Sequence, residues 1–229
     1  MSITSMSGKA KGAVDKDVQK ELQYQNWKTQ SAAKREEQLK REFSHQIISI
    51  AAKPKLGKSG LGLDIRTKEE IEEGYIIRFL DFDDGAEVTW KTCWNNDENI
   101  YVYCPNHINS DGTENYALTK QNAINFLRET AEMISEGVKV RAIVVDGMDK
   151  LNDCVTNKLR YEINKGDRKK MTNPISPTQY GARNIDHDEI FRNALMIEAD
   201  KVFITHLKPT FSDHMNPNPV GFVPNWNKD

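Results

Sequence analysis

The residues with the clearest chemical use lie between positions 53 and 59, where the chain reads Lys-Pro-Lys-Leu-Gly-Lys-Ser. Gly57-Lys58-Ser59 ends a phosphate-binding loop pattern, in which backbone N–H groups surround phosphate, the lysine reaches the β- and γ-phosphates and the serine holds Mg²⁺. The full pattern has a further glycine where this chain has Ala52. The predicted ligands are therefore ATP and Mg²⁺. Ala52 is the one residue that departs from the loop pattern. The residues predicted to bind nucleotide are Lys53, Pro54, Lys55, Leu56, Gly57, Lys58, Ser59 and Gly60.

The segments on either side of the loop must support it. Residues 47–52 form an apolar run without strict alternation, which predicts a buried parallel strand. After the loop, Gly60 and Gly62 are poor helix formers that each cost about 1 kcal/mol relative to alanine. Small residues there would also let a helix pack closely on a sheet. Such a helix directs the positive end of its dipole at the phosphates.

A second strand supplies the carboxylate that this kind of loop requires. Residues 138–146 predict a buried strand that ends in Asp146. In P-loop proteins that hydrolyse nucleotides, an aspartate in this position takes part in the Mg²⁺ shell. We therefore predict that Ser59 and Asp146 form the metal site, and that Lys58 and Asp146 are catalytic.

Length and composition limit the class of protein. The 229 residues suffice for one α/β domain with some extra elements. The formal net charge is −2, so there is no overall basic field for nucleic acid and any such contact would be local. Three cysteines, an odd number, argue against a disulfide framework. Because we find no apolar signal segment or run of membrane-spanning length, we predict a soluble cytoplasmic protein without membrane contact.

The chain divides into a charged N-terminal extension, residues 1–45, and an α/β domain, residues 46–229. The extension predicts a disordered start to about residue 15 and then an exposed helix or two, either a solvated lid on the core, which we favour, or an assembly arm. In the domain, alternating strands and helices predict a mainly parallel sheet with helices on both faces. The other predicted strands are 75–82, 100–104 and 201–205, and the predicted helices are 67–73, 119–136, 155–164 and 186–199. No strand is predicted after residue 209.

The order of these parts resembles the RecA-like branch of P-loop ATPases, and most closely the small phage and viral ATPases of the single-strand-annealing (Sak-type) recombination group. The resemblance covers roughly residues 47–208. Four short motifs carry it, in the family's order: Lys-Pro-Lys-Leu-Gly-Lys-Ser at 53–59, Phe-Leu-Asp-Phe-Asp-Asp-Gly at 79–85, Ile-Val-Val-Asp at 143–146 and Phe-Ile-Thr-His at 203–206. It implies a RecA-like fold and Mg²⁺-dependent ATP hydrolysis.

The resemblance also implies roles for individual residues. An acidic residue after the second core strand polarises the attacking water in this family. Asp83 is the best match, Asp84 and Asp81 are alternatives, and a plain turn with no catalytic role stays open. His206 matches a polar residue that senses the γ-phosphate. Because RecA-like ATPases work as rings or filaments, a homo-oligomer is implied, and Lys208 is a candidate for a cation acting on a neighbouring subunit.

The resemblance places single-stranded DNA against the segment that follows the Asp146 strand, and this segment is rich in basic residues. Tyr161 and Tyr180 would suit base stacking, whereas the acids between the basic residues leave open a solvated charged helix and loop. Further implied partners are other recombination or replication proteins. The predicted DNA-binding residues are Lys158, Arg160, Lys165, Arg168, Lys169 and Lys170.

Several alternatives stay open at this point. The same ATPase would serve a helicase, a helicase loader or a DNA-packaging motor, and Ala52 leaves room for a nucleotide-binding scaffold with little turnover. RecA-like cores usually continue with further strands where this chain has a polar tail, so a shortened domain, or one lacking its last strands, stays open. Residues 186–189, Asp-His-Asp-Glu, predict a helix start with an acidic first turn rather than a metal site, because consecutive helical residues point in different directions.

Overall fold

The computed structural model of this chain describes residues 8–40, 45–63, 65–210, 219 and 221–224. They belong to two compact units that divide between residues 44 and 45. The first unit contains helix α1, Gly8–Lys40, which begins within the segment predicted to be disordered. Its described side chains, residues 18–36 and 39, are all exposed. Among them are large apolar groups such as Leu22 and Trp27.

The second unit is an α/β domain built on one sheet. Its strands are β1 Ile47–Ala52, β2 Ile76–Asp81, β3 Ile100–Tyr103, β4 Val140–Asp146, β5 Asp200–Thr210 and β6 Gly221–Pro224. Its helices are α2 Lys58–Leu63, α3 Lys68–Glu72, α4 Ala86–Cys93, α5 Tyr116–Ser135, α6 Met148–Ile163 and α7 Tyr180–Met196, with short 3₁₀ turns at Arg168–Lys170 and Pro177–Gln179. No helix of the described residues is both long and apolar enough to cross a membrane.

The sheet is mainly parallel, as predicted. Its strand order is β1-β5-β4-β2-β3, and all of these pairs are parallel. Since parallel strands end at the same edge, the loops after β1, β2 and β4 converge there. The register brings Asp81 opposite Asp146, and Ala52 opposite His206. The polar residues singled out in the sequence thus lie along one carboxyl edge.

Helices cover both faces of this sheet, which confirms the α/β prediction. On one face, α5, α6 and α7 pack Leu127, Leu151 and Ile190 against strand residues. On the other face, α2 and α4 contribute Leu63 and Ala86 to a second apolar cluster. Strands buried on both faces read as continuous apolar runs, which is why β2 and β4 were legible in the sequence. β1 is parallel as predicted, but the prediction that it is buried was wrong, because it lies at the edge of the sheet and each of its residues is at least partly exposed.

Helix α5 starts three residues earlier than predicted, at Tyr116, and two other helices start at least six residues earlier. Helix α6 begins at Met148, directly after the Asp146 strand and seven residues before the predicted start at 155. Helix α7 begins at Tyr180, so the prediction that residues 186–189 start a helix was wrong. These acids lie inside α7, where Asp186 forms ion pairs with Lys120 at 2.5 Å and Lys158 at 2.9 Å.

Three further elements differ from the prediction. Helix α4 was not predicted; its start is held by Asp81, which accepts the Ala86 N–H at 2.7 Å. Strand β5 continues to Thr210 and pairs there with antiparallel β6, so the prediction of no strand after residue 209 was wrong. A four-residue strand in a polar, proline-rich tail carries too little periodicity to be recognised.

Gly62 sets the distance between α2 and the sheet. A Cβ at this position would lie 2.9 Å from Val144 Cγ1 and 3.1 Å from both Ile204 Cδ1 and a ring carbon of Phe79. These side chains belong to three adjacent strands and are fully buried, so they have little room to move. The glycine that weakens α2 by propensity therefore allows the helix to pack closely on the sheet.

We predict that Gly62→Ala lowers the free energy of unfolding by about 1–3 kcal/mol, because the added methyl group overpacks the core. Chemical denaturation of the purified variant measures the change. Gly60→Ala is the matched control in the same helix, since its Cβ would lie at an ordinary 3.5 Å from Trp94. A Gly62→Ala protein as stable as the Gly60→Ala protein would contradict this account.

Candidate functional site

The loop between β1 and α2 has a backbone that would suit a bound phosphate. Lys55 and Gly57 have φ values of 65° and 78°, in the left-handed region. Left-handed residues in a tight loop turn N–H groups into a concave surface that suits anions. A non-glycine residue there is strained, and such strain is found most often at functional positions. Ala52 is the last residue of β1 and is not among the left-handed residues, so glycine is not required there.

Lys58 lies at the centre of this loop and points inward. The residue is only 6% exposed, and its Nζ donates to the carbonyl oxygen of Lys53 across the loop at 3.3 Å. Its charge lowers the pKa values of Asp83 and Asp146, although burial outweighs this effect at both carboxyls. The ammonium group therefore lies between the loop and the carboxylates of the neighbouring strands.

Ser59 and Asp146 are in direct contact. Ser59 Oγ donates to Asp146 Oδ2 at 2.5 Å, joining residues 87 positions apart in the chain. A hydroxyl and a carboxylate next to a phosphate site suit Mg²⁺, which is usually held by one or two carboxylates, phosphate oxygens and water. Among the described residues no three His, Cys, Asp or Glu side chains gather into a metal site of their own. The pair therefore fits a metal that also binds the ligand's phosphates.

Burial dominates the electrostatics of Asp146. It raises the pKa of this carboxyl to about 6, the hydrogen bond from Ser59 acts in the opposite sense, and the nearby charges of Asp81 and Asp83 raise it further. Several carboxylates held close together in a buried place destabilise one another unless a cation joins them. A cation in addition to Lys58 would therefore stabilise the carboxylates at this edge.

The three aspartates after β2 occupy different environments. Asp81 is buried and uses both oxygens to accept backbone N–H groups, from Asp83 at 3.1 Å and from Ala86 at 2.7 Å, so it holds the turn together. Asp84 is exposed and interacts with Cys104, at the end of β3. Asp83 is half-buried, and its Oδ2 lies 3.5 Å from His206 Nδ1. Of the three, Asp83 is the one directed toward the phosphate loop's side of the sheet.

His206 brings in a residue that the sequence did not reveal. Its Nδ1 lies 3.2 Å from Oδ2 and 3.3 Å from Oδ1 of Asp149, a buried residue in the first turn of α6. When the Nδ1–H of an imidazole donates a hydrogen bond to a carboxylate, Nε2 of the neutral ring is an acceptor. Nε2 also has a proton only in the cationic ring. Asp149 was missed because α6 was predicted to begin at residue 155; the Gly147 that follows Asp146 was the available signal.

The predicted basic segment is only partly available for a partner. Lys158 is held by Glu162 at 2.8 Å and Asp186 at 2.9 Å. Arg160 donates to the Asn157 amide oxygen at 3.2 Å, and its buried Nε has no hydrogen-bond partner in the part of the chain that the structure describes. Both line a groove of about 590 Å³ between the start of α5 and the second half of α6, together with Tyr116, Tyr161 and Met171.

The remaining candidates lie further along the chain. Lys165 is exposed with a left-handed backbone, Lys169 is exposed, and Lys170 pairs with Asp167 at 3.3 Å. The backbone of Arg168 belongs to the 3₁₀ turn at 168–170, and its side chain lies outside the described residues. Lys208 is half-buried in β5, paired with Val223 of β6.

Comparison with known proteins does not assign this site. No family model matches the chain, and a search of curated proteins gives no match either. The chemical interpretation of the carboxyl edge therefore depends on its geometry.

We predict that Asp146→Asn stabilises the fold at pH 8 by up to about 3 kcal/mol, although it removes the carboxylate predicted to hold Mg²⁺. The pKa of Asp146 is raised from 3.8 to about 6, so the folded state binds the extra proton between these values and stability falls as pH rises through this window. The variant lacks this penalty. Urea denaturation at pH 8 and at pH 4.5 should show a gain that is largest at pH 8 and much smaller at pH 4.5.

Asp200→Asn is the matched control, because Asp200 is also buried but forms an ion pair with Arg141 at 2.5 Å. Removing one partner of a buried pair is destabilising, so this variant should lose stability at pH 8. A destabilised Asp146→Asn protein at pH 8, or a gain independent of pH, would contradict our interpretation of Asp146.

Proposed function

We propose that this protein is a P-loop ATPase of the RecA-like branch that hydrolyses ATP with Mg²⁺. The observation that carries the proposal is the contact between Ser59 and Asp146, 2.5 Å apart at the carboxyl edge. Ser59 lies in α2, which follows β1, and Asp146 ends β4; these two strands are not neighbours, since β5 lies between them. β5 passes between the phosphate loop and the carboxylate, with His206 opposite Ala52, and this is where a residue that responds to the terminal phosphate would have to lie.

Each side chain at this edge has a role that its surroundings support. Lys58 would neutralise charge on the transferred phosphoryl group, and Ser59 and Asp146 would hold Mg²⁺, which would supply further positive charge for the phosphate oxygens. Asp83 is the half-buried carboxylate that orients water, since Asp81 is occupied by backbone N–H groups. His206, which is held by Asp149, responds to the loss of the terminal phosphate after hydrolysis. Phosphoryl transfer needs positioning and charge neutralisation more than covalent help.

We propose further that hydrolysis is coupled to single-stranded DNA, in recombination or strand annealing. The groove between α5 and α6 supports this, because it combines Arg160, whose guanidinium donates to an amide oxygen and forms no ion pair with the described residues, with Tyr116 and Tyr161. Cations that track the backbone and rings that stack on bases are the usual means of binding single strands. The same helix α6 carries Asp149 against His206, so the groove and the nucleotide site share one rigid element.

Assembly and cellular setting follow from the same proposal. A RecA-like ATPase of this kind works as a ring or filament in the cytoplasm, alone or with other recombination or replication proteins. Lys208 lies two residues beyond His206 on β5, and in such an assembly it is the cation that would act on a neighbouring subunit's nucleotide. A helicase, helicase loader or DNA-packaging motor would use the same nucleotide site with a different load.

We predict that the protein hydrolyses ATP, that single-stranded DNA raises the rate, and that Lys58→Ala lowers it by about 100-fold or more. Phosphate release is measured with and without an oligonucleotide. Lys68→Ala, an exposed lysine in α3, is the matched control and should keep full activity. Asp83→Asn should bind ATP but turn it over slowly, because it loses the water-orienting carboxylate and keeps the phosphate loop.

The outcomes separate the alternatives. Turnover that is indifferent to DNA removes the recombination and annealing function and leaves the ATPase. Tight ATP binding without turnover in the wild-type protein identifies a nucleotide-binding scaffold. Absence of both binding and turnover refutes the nucleotide site itself.

We predict that Arg160→Ala weakens the binding of single-stranded DNA about tenfold and reduces the slope of log affinity against log salt by about 1, as expected for one lost phosphate contact. Fluorescence anisotropy of a labelled oligonucleotide at several salt concentrations measures both. Lys68→Ala again controls for loss of one positive charge. Unchanged DNA affinity in a folded Arg160→Ala protein would place the DNA elsewhere on the molecule.

A further inference from the structure

The first residue of the phosphate loop borders the place that the terminal phosphate would take. In a loop of this kind, backbone N–H groups surround the α- and β-phosphates, and the lysine side chain reaches the β- and γ-phosphates. Lys58 Nζ lies 3.3 Å from the carbonyl oxygen of Lys53, which directly follows β1. His206, on β5, lies opposite Ala52, the residue before Lys53. The start of the loop is therefore close to the position of the γ-phosphate.

The side chain of Lys53 contacts a two-stranded ribbon beside the loop. β5 continues past His206 to Thr210, and along this extension β6 pairs with it in antiparallel fashion. Phe222 of β6 lies next to Lys53, whose Nζ is 4.2 Å from the centroid of the ring. Lys53 is exposed, Phe222 is 44% exposed, and Lys53 forms no ion pair with the residues that the structure describes. The ammonium group is thus held by a cation–π contact.

This contact is weak enough to be exchanged for a phosphate. A cation over an aromatic ring at an exposed site changes an equilibrium constant only about two- to fivefold. A hydrogen bond between two charged groups is stronger. Because the lysine side chain is flexible, Lys53 can turn from the ring of Phe222 to a γ-phosphate oxygen near Lys58. A nucleoside diphosphate has no γ-phosphate, so with such a ligand the ammonium group would stay on the ring.

We infer that Lys53 is the residue that distinguishes a nucleoside triphosphate from a diphosphate, and that Phe222 holds its ammonium group when no γ-phosphate is bound. The inference rests on the proposed nucleotide-binding function and deepens it. Lys58 contributes to the binding of both nucleotides, because it reaches the β-phosphate as well. Lys53 adds affinity for the triphosphate alone, reduced by the small cost of leaving Phe222. The ribbon of β5 and β6 therefore gains a contact with the loop when the terminal phosphate is lost.

The test compares two nucleotides that differ in the terminal phosphate. Binding of ADP and of the β,γ-imido analogue of ATP, each with Mg²⁺, is measured by calorimetry on the full chain. Lys53→Ala should weaken binding of the analogue about tenfold and leave ADP binding within about twofold of wild type. Lys58→Ala should weaken the binding of both nucleotides.

The role of the ring is tested in the opposite direction. Phe222→Ala should strengthen binding of the analogue about threefold and leave ADP binding unchanged, because the ring no longer competes for the ammonium group. Phe222→Leu, which keeps an apolar side chain on β6, should have the same effect. In a protein that already carries Lys53→Ala, the Phe222→Ala change should have no effect on either ligand, since the two residues act through one contact.

Lys68→Ala and Tyr101→Ala are the matched controls, and both should bind the two ligands as wild type does. Lys68 is an exposed lysine in α3. Tyr101 is 45% exposed and also lies beside a cation, with Arg78 Cζ 5.5 Å from its ring, but on β3 at the other edge of the sheet from β1.

Several results would overturn the inference. If Lys53→Ala weakens both ligands equally, this lysine only supports the loop. Unchanged or weaker binding of the analogue in both Phe222 variants contradicts the holding role of the ring, and so does a Phe222→Ala effect that persists in the Lys53→Ala protein. If the wild-type protein binds neither ligand, the proposed function is refuted and the inference with it, whereas the other outcomes leave that function intact.

Discussion

The burial of Asp146 beside Ser59 and Lys58 is the constraint on which the rest of this domain depends. A carboxylate at the end of a central strand cannot be hydrated, and its pKa of about 6 reflects that loss. The fold accepts this cost only because the loop after β1 delivers a hydroxyl and an ammonium group to the same place. Moving β1, the loop or α2 would leave the charge without partners, so these elements must keep their positions together.

Hydrogen bonds distinguish a structural role for Asp81 from a chemical role for Asp83. Asp81 accepts N–H groups from the turn that follows it, and Asp83, two residues later, is left with His206. Two residues along a chain that has left its strand are enough to change the direction of a side chain. The same sequence, Asp-Phe-Asp-Asp-Gly, therefore holds a buried structural cap and a half-buried carboxylate, and composition cannot tell which is which.

The predictability of this fold follows burial. β2 and β4 are buried strands, β1 is an apolar run at the edge of the sheet, and all three were found within two residues at each end. The carboxyl edge and the Ser59–Asp146 pairing follow once those strands are parallel. Asp149 did not follow, because the start of α6 has no side-chain cap: Gly147, with a φ of 85°, fills that position. The ribbon of β5 and β6 was also missed, since its pairing is between backbones and leaves almost no pattern in four residues.

The close packing at Gly62 has a mechanical consequence. With no Cβ on α2 at this point, the helix lies against the side chains of Phe79, Val144 and Ile204 on three strands at once. Because this contact is so close, α2 cannot slide along the sheet or move away from it, and the loop that precedes α2 is held in place with it. Any movement during a catalytic cycle would therefore fall to less buried parts, such as the end of β5 from His206 to Thr210, where every residue is at least partly exposed. α2 and the loop before it thus form the fixed part of the domain, and the end of β5 is a less confined part.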